Sequence, residues 1–126
     1  MKAISVRNPF AHWILCGKKE FEFRTWRTKY RGDLLICSSA KPKLSGMISG
    51  CALCVVCLED VLLVTEENGC DFGLDKSVFD GGRLYAWHLT NLRCVKPFSV
   101  KGKLNFFEVE DSLIEVVGRV LDEEGL

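Results

Sequence analysis

The sequence predicts an α+β fold: a small mixed or antiparallel β-barrel with short helices closing its ends. Three observations predict it. Five or six short stretches read as strands, against two or three short helical ones. These strands come early and late, not in the strict alternation with helices that a parallel α/β sheet requires. The 126 residues suffice to close one core without staples, so 1–126 is expected to be a single domain.

Residues 2–6, KAISV, read as the first strand. Asn8 is placed to cap a helix with Pro9 at its first position, a favoured arrangement. Phe10, Trp13 and Ile14 fall on one helical face and are assigned to the core, with the helix packed across one end of the barrel. Gly17 is placed to end the helix. A charged strand starts at Glu20, a turn follows near Arg31-Gly32-Asp33, and LLICS at 34–38 reads as buried. Residues 39–50, with Pro42, Gly46 and Gly50, form an exposed loop. An apolar strand then spans about 51–58, and the polar stretch 65–82 reads as a loop with a short helix. In the next strand, 83–89, Tyr85, Trp87 and Leu89 share a face. A strand at about 104–109 follows, and Asp111 caps a terminal helix lined by Leu113, Ile114, Val117 and Leu121. The core is expected to include Phe10, Trp13, Ile14, Phe21, Phe23, Leu35, Val55, Val56 and Leu58.

Composition narrows the classes. No apolar run approaches the ~20 residues that cross a bilayer, and the start has no secretory h-region. The expectation is a cytoplasmic protein with no membrane partner. Net charge is zero but unevenly spread: residues 18–43 carry +5, and 108–126 carry −6. The basic half could meet phosphates, or the two patches could pair with each other. Zero net charge argues against a strong non-specific nucleic-acid binder. Seven cysteines, an odd number, point to free thiols in a reducing compartment. Cys51, Cys54 and Cys57 form a CxxCxxC run, but in a buried strand Cys54 opposes the other two. No further ligand pair accompanies them, so no metal is expected. No Walker A or GxGxxG motif appears, and no cofactor is expected.

The most informative segment is 17–32, GKKEFEFRTWRTKYRG. Read as a strand, it points Phe21 and Phe23 toward the core and Glu22, Arg24 and Trp26 to the other face. Lys19 sits at the preceding turn. Such a wall suits a planar, hydrogen-bonding ligand such as a nucleobase. The alternative is a half-exposed strand whose charges form a surface pair worth little. If Gly17 takes φ > 0, the turn can swing Lys19 onto the same face. Its amine should then lie within salt-bridge or water-bridged reach of Glu22, beside a pocket that Arg24 also lines.

These pieces resemble the ASCH domain, a member of the PUA-like barrel superfamily. Its GxKxxExR hallmark is present as Gly17, Lys19, Glu22 and Arg24. SVRNPFA at 5–11 is similar to the SIxxPxA entry of one ASCH branch, and Trp26 followed by YRG at 30–32 resembles that branch's ExRxWxTxYRGxLLI. YAWHLTNLR at 85–93 and VKGKLNFFEV at 100–109 are similar to its later segments, so the resemblance spans nearly the whole chain. It implies an RNA- or nucleotide-binding module with a cleft beside the barrel. Some small members are hydrolases, including a group that deacetylates 4-N-acetylcytidine and a member with ribonuclease activity. In the deacetylating group a threonine stands where this chain has Glu22, so the chain resembles the branch with glutamate there.

The resemblance and the residues together give the candidate site. Lys19 and Glu22 are the catalytic candidates if the protein is an enzyme. Lys19 would polarise an acyl oxygen and Glu22 would activate water. Arg24, Trp26, Tyr85, Lys101, Ser5 and Tyr30 are the ligand-binding candidates. Arg24 suits a bidentate contact, Trp26 and Tyr85 suit stacking, and Lys101 beside Gly102 suits a phosphate. Aromatic residues at strand spacing are nonetheless more often core. Glu66 and Glu67 lie near where the hydrolase group places its glutamate. His12 and His88 have no Ser or Cys at triad spacing and are read as structural. The expected partner is single-stranded RNA or a modified nucleoside. The alternatives are a small metal-independent hydrolase of acylated nucleosides or RNA, and a module that recruits a protein partner.

Overall fold

In the computed structural model, residues 1–75, 77 and 82–118 are described. Strands dominate. β1 (Lys2–Val6) leads into the one-and-a-half-turn helix α1 (Phe10–Leu15). β2 (Phe21–Arg24), β3 (Gly32–Ser38), β4 (Cys51–Val64) and β5 (Leu84–Ser99) follow, then the short β6 (Phe107–Glu108) and β7 (Val116–Gly118).

One mixed sheet holds all seven strands in the order β2-β5-β4-β3-β1-β6, with β7 also paired to β5. Only β1–β3 is parallel; the other pairs are antiparallel. Among the described residues no backbone ladder joins β2 to β6, so the pairs form an open path, not a closed ring. The sheet curls far enough for side chains to bridge its two ends. Arg24 Nη2 on β2 donates to the Ser5 carbonyl on β1 at 2.8 Å, and Trp26 meets Phe106 edge-on at 5.2 Å. That seam is where the candidate site lies.

The interior of the curl holds Ile4, Val6, Leu34, Ile36, Val56, Leu58 and Trp87, with Ile14 from α1. A second cluster, including Ala3, Leu35, Val55 and Phe107, lies apart from it. Ile14, Leu35, Val55, Val56 and Leu58 are buried as expected. Four expected core residues are not. Phe10 and Trp13 are 45% and 41% exposed, because the helix buries Ala11 and Ile14 instead. Phe21 and Phe23 are half-buried, packed on Phe72 outside both clusters, while Glu22 between them is buried. The alternation along β2 is present with its faces exchanged: the polar side turns inward.

The expected cap is corrected by one residue: Pro9 stands at the N-cap with no side-chain cap bond, and Asn8 precedes it. Asn8 Oδ1 accepts the His12 N–H at 3.1 Å, and its amide donates to the Ile48 carbonyl at 2.9 Å. Gly17 takes φ +76° and stops the helix. The expected terminal helix is corrected. Residues Asp111–Leu113 make only a 3-10 turn, and Val116–Gly118 pairs with Cys94 and Val95 of β5. Val116 and Val117 are β-branched and suit an edge strand; Leu121 lies outside the described residues.

β4 runs past the expected end, and three register shifts interrupt its pairing with β5. Such bulges break simple alternation. Cys51 and Cys54 consequently pack on the same interior cluster and do not oppose each other. The seven cysteines form no disulfide. Burial pushes the Cys37 thiol up to about 12 and drives Cys54 upward as well, whereas Cys70 is exposed. A chromogenic disulfide reagent at pH 8 should therefore titrate Cys70 first and reach Cys37 and Cys54 only after unfolding. Cys70→Ser should remove the fastest phase; a fast phase that survives would contradict this assignment.

Candidate functional site

Three neighbouring elements build the site. The sharp turn at Gly17 returns the chain so that Lys18 and Lys19 N–H both reach the Trp13 carbonyl, at 2.9 and 3.2 Å. This brings Lys19 back beside β2. On β2, Glu22 stands opposite Trp87 and Arg24 opposite Tyr85 in the ladder with β5, which fixes their direction. β1 and the start of α1 supply the other wall. The resulting cavity, about 310 Å³, is lined by Ser5, Val6, Arg7, Phe10, Lys19, Glu22, Phe23 and Arg24.

Glu22 is the electrostatic centre of this cavity. Its Oε2 lies 3.0 Å from Arg24 Nη2, and its Oε1 lies 3.8 Å from Lys19 Nζ. The expected geometry, with the Lys19 amine in reach of Glu22 beside a pocket that Arg24 shares, is thus present. A carboxylate this buried is tolerable only because two cations flank it. Lys19 also sits over the rings of Phe23 and Phe10, at 4.7 and 5.5 Å from their centroids. Burial holds its pKa below the ordinary lysine value; the Glu22 charge opposes the shift without cancelling it.

Arg24 spends one nitrogen on protein partners. Nη2 serves both Glu22 and the Ser5 carbonyl. Nε is buried with no partner among the described residues, and so is the Ser5 hydroxyl. Leaving a buried polar group unmet costs about 1–3 kcal/mol. Two such groups at one seam mark a place with hydrogen-bonding capacity to spare.

The remaining predicted residues divide by location. Trp26 and Tyr30 pack from the side onto the interior cluster, and Tyr85 is buried within it. Trp26 meets Trp87 edge-on at 4.7 Å, and the Tyr30 hydroxyl donates to the Asp33 carbonyl at 2.6 Å. None of the three lines the cavity. Lys101 lines a second groove, and Ser5 borders both. Glu66 and Glu67 are exposed in the turn after β4, away from the cavity wall. Sequence reasoning missed Arg7, Phe10 and Phe23 as lining residues. The sequence held no clear signal for Phe10: it shares a helical face with Ile14, which is buried, and only the packing of α1 left it at the cavity. Cys16 Sγ, just past the end of α1, lies 3.4 Å from His12 Nε2, so His12 does have a thiol beside it. Among the described residues no group of three His, Cys, Asp or Glu could hold a metal ion. No described helix is long and apolar enough to cross a membrane.

The ASCH domain family matches residues 4–101, which include the whole cavity wall. The chain belongs to the ASCH domain family. Its members are generally regarded as RNA-binding. Among solved structures, the ASCH protein of Zymomonas mobilis superposes on this chain. A tyrosine-to-phenylalanine mutant of it gives a TM-score of 0.70 at 16% identity, covering 90% of this chain and 98% of the other. A serine-to-alanine mutant gives 0.68 at 17%, covering 90% and 96%. At such identity the likeness concerns the ASCH fold alone. No curated protein matches the chain.

Proposed function

We propose that this ASCH protein binds an unpaired base of single-stranded RNA, or a modified nucleoside, in the cavity between β1, α1 and β2. The observation that carries this reading is the Lys19–Glu22–Arg24 set at the wall of an open cavity. Glu22 holds the two cations in place, and their remaining N–H groups face a ligand's acceptor atoms. Phe10 and Phe23 supply the apolar and aromatic surface that Trp26 and Tyr85 were expected to supply. A cavity of 310 Å³ is within the range that takes a small planar ligand.

Titration with ribonucleosides, modified nucleosides and short RNAs, read by calorimetry, tests this reading. Saturable binding lost in Arg24→Ala is expected; no binding by any of them would sink it. A pH series adds a sharper test. Lys19 donates as a cation, which it is below its lowered pKa and is not above it. Affinity should therefore fall as pH rises through that value, before ordinary lysines titrate. The inflection should vanish in Lys19→Met.

A second reading, hydrolysis of an acylated nucleoside, is favoured by the lowered pKa of Lys19. In it, Glu22 takes a proton from water, the hydroxide attacks the acyl carbon, Lys19 polarises the carbonyl oxygen, and the amine leaves with the proton. Both Glu22 oxygens are engaged by cations, however, so proton abstraction must compete with those contacts. Binding is the better-supported reading. Release of acetate from 4-N-acetylcytidine that persists with chelator and stops in Glu22→Gln would reverse the order.

A further inference from the structure

Ser5 joins two depressions. Its carbonyl faces the Lys19–Glu22–Arg24 cavity through Arg24, and its side chain borders a second groove of about 490 Å³. That groove is lined by Ser39, Ala40 and the run Val100–Leu104, with Lys101, Gly102 and Lys103 at its centre. The walls are tied together by backbone bonds: Ser39 N–H to the Val6 carbonyl at 2.9 Å, and Val100 N–H to the Gly50 carbonyl at 2.9 Å. Gly102 passes so close to β1 that a Cβ there would lie 2.0 Å from the Ser5 hydroxyl. Only a glycine lets this run pack so closely on β1.

The charge of this groove is of one sign. No acidic residue lines it, and among the described residues Lys101 and Lys103 make no ion pair. Lys41 and Lys43, in the loop that continues from Ser39 and Ala40, are likewise exposed and without an ion pair. The Ser5 hydroxyl, buried and unpartnered, lies at the junction itself. Two free ammonium groups lining the groove, with two more in the adjoining loop, suit a multiply charged anion with several acceptor oxygens.

We infer that this groove is a phosphate subsite, so that the ligand is a nucleotide or a phosphodiester-linked strand and not a free nucleoside. The inference rests on the base-binding reading of the adjacent cavity. The base would occupy the cavity beside Glu22 and Arg24, and the chain of sugar and phosphate would cross Ser5 into the lysine groove. Lys101 and Lys103 contribute charge without base selectivity, as phosphate contacts do.

The test compares ribonucleosides, their 5′-monophosphates, a ribotrinucleotide and ribose 5-phosphate, each at two salt concentrations. Wild type is set against Lys101→Ala/Lys103→Ala and against Arg83→Ala/Lys96→Ala, which removes equal charge outside the groove. Monophosphates should bind about tenfold tighter than nucleosides at low salt, and the advantage should shrink as salt rises. The ratio should fall to near one in the Lys101/Lys103 variant and persist in the matched control. For the trinucleotide, that variant should lower the salt slope by about 1.4, the value for two lost phosphate contacts on a single strand. A trinucleotide bound more tightly than a monophosphate assigns the source to phosphodiester; the reverse assigns it to a terminal phosphate. Equal binding of nucleosides and monophosphates overturns the subsite and leaves the base reading intact. Ribose 5-phosphate bound by wild type but not by the groove variant, with no nucleoside bound at all, would keep the subsite and sink the base reading. No binding by any of these molecules overturns both.

Discussion

Trp87→Ala is expected to destabilise the protein by about 3–5 kcal/mol, the range for removing a fully buried large aromatic side chain. Trp87 is 0% exposed and holds the seam from within. Its indole meets Trp26 edge-on at 4.7 Å and Phe106 at 5.7 Å, and its Nε1 donates to the Trp26 carbonyl at 3.3 Å. It also stands opposite Glu22 in the ladder between β2 and β5. Truncation therefore leaves a cavity behind the candidate site and frees the segment after Arg24. Urea unfolding followed by far-ultraviolet circular dichroism would measure it. Trp87→Phe should recover part of the loss, since it keeps a ring but not the hydrogen bond. A loss under about 1 kcal/mol for Trp87→Ala would show that Trp87 does not support the seam.

Glu22→Ala is expected to cost about 2–4 kcal/mol, somewhat less than removing one partner of a fully buried ion pair because both cations retain some access to water. Arg24 and Lys19, 21% and 15% exposed with Glu22 in place, would lose their shared carboxylate. Repulsion between them would then push Arg24 off the Ser5 carbonyl, loosening the contact between β2 and β1. Ligand affinity should fall at least as far as stability does. Glu22→Gln separates the two effects: it keeps the shape and one acceptor, so it should recover much of the stability and little of the affinity. Thermal unfolding beside calorimetric titration would read both. Full affinity in Glu22→Gln would remove the carboxylate from the site.

What the sequence by itself determined was local. Gly17 at the helix end, the alternation of Phe21, Glu22, Phe23 and Arg24, and the i to i+3 spacing of Lys19 and Glu22 are set by backbone geometry over a few residues. They bring the charged set together once the Gly17 turn swings Lys19 onto the face of Glu22. The buried strands at 34–38 and 51–58 were equally legible, because their apolar runs have no other stable place.

Only the tertiary structure decided which side of β2 faces in. Alternation groups side chains into two faces but does not rank them. Pairing with β5 placed Glu22 against Trp87, and Phe72 then covered Phe21 and Phe23 from outside. The aromatic lining of the cavity came instead from Phe23 of β2 and Phe10 of α1, while Trp26 and Tyr85 joined the interior cluster. The free edge of β5 drew Val116–Gly118 into a strand where periodicity suggested a helix, and bulges between β4 and β5 put Cys51 and Cys54 on one cluster. The curl of the sheet set Ser5 beside Arg24, nineteen residues away, and beside Gly102. Each of these outcomes depends on hydrogen-bonding edges and surfaces that distant segments supply, and no window of neighbouring residues contains them.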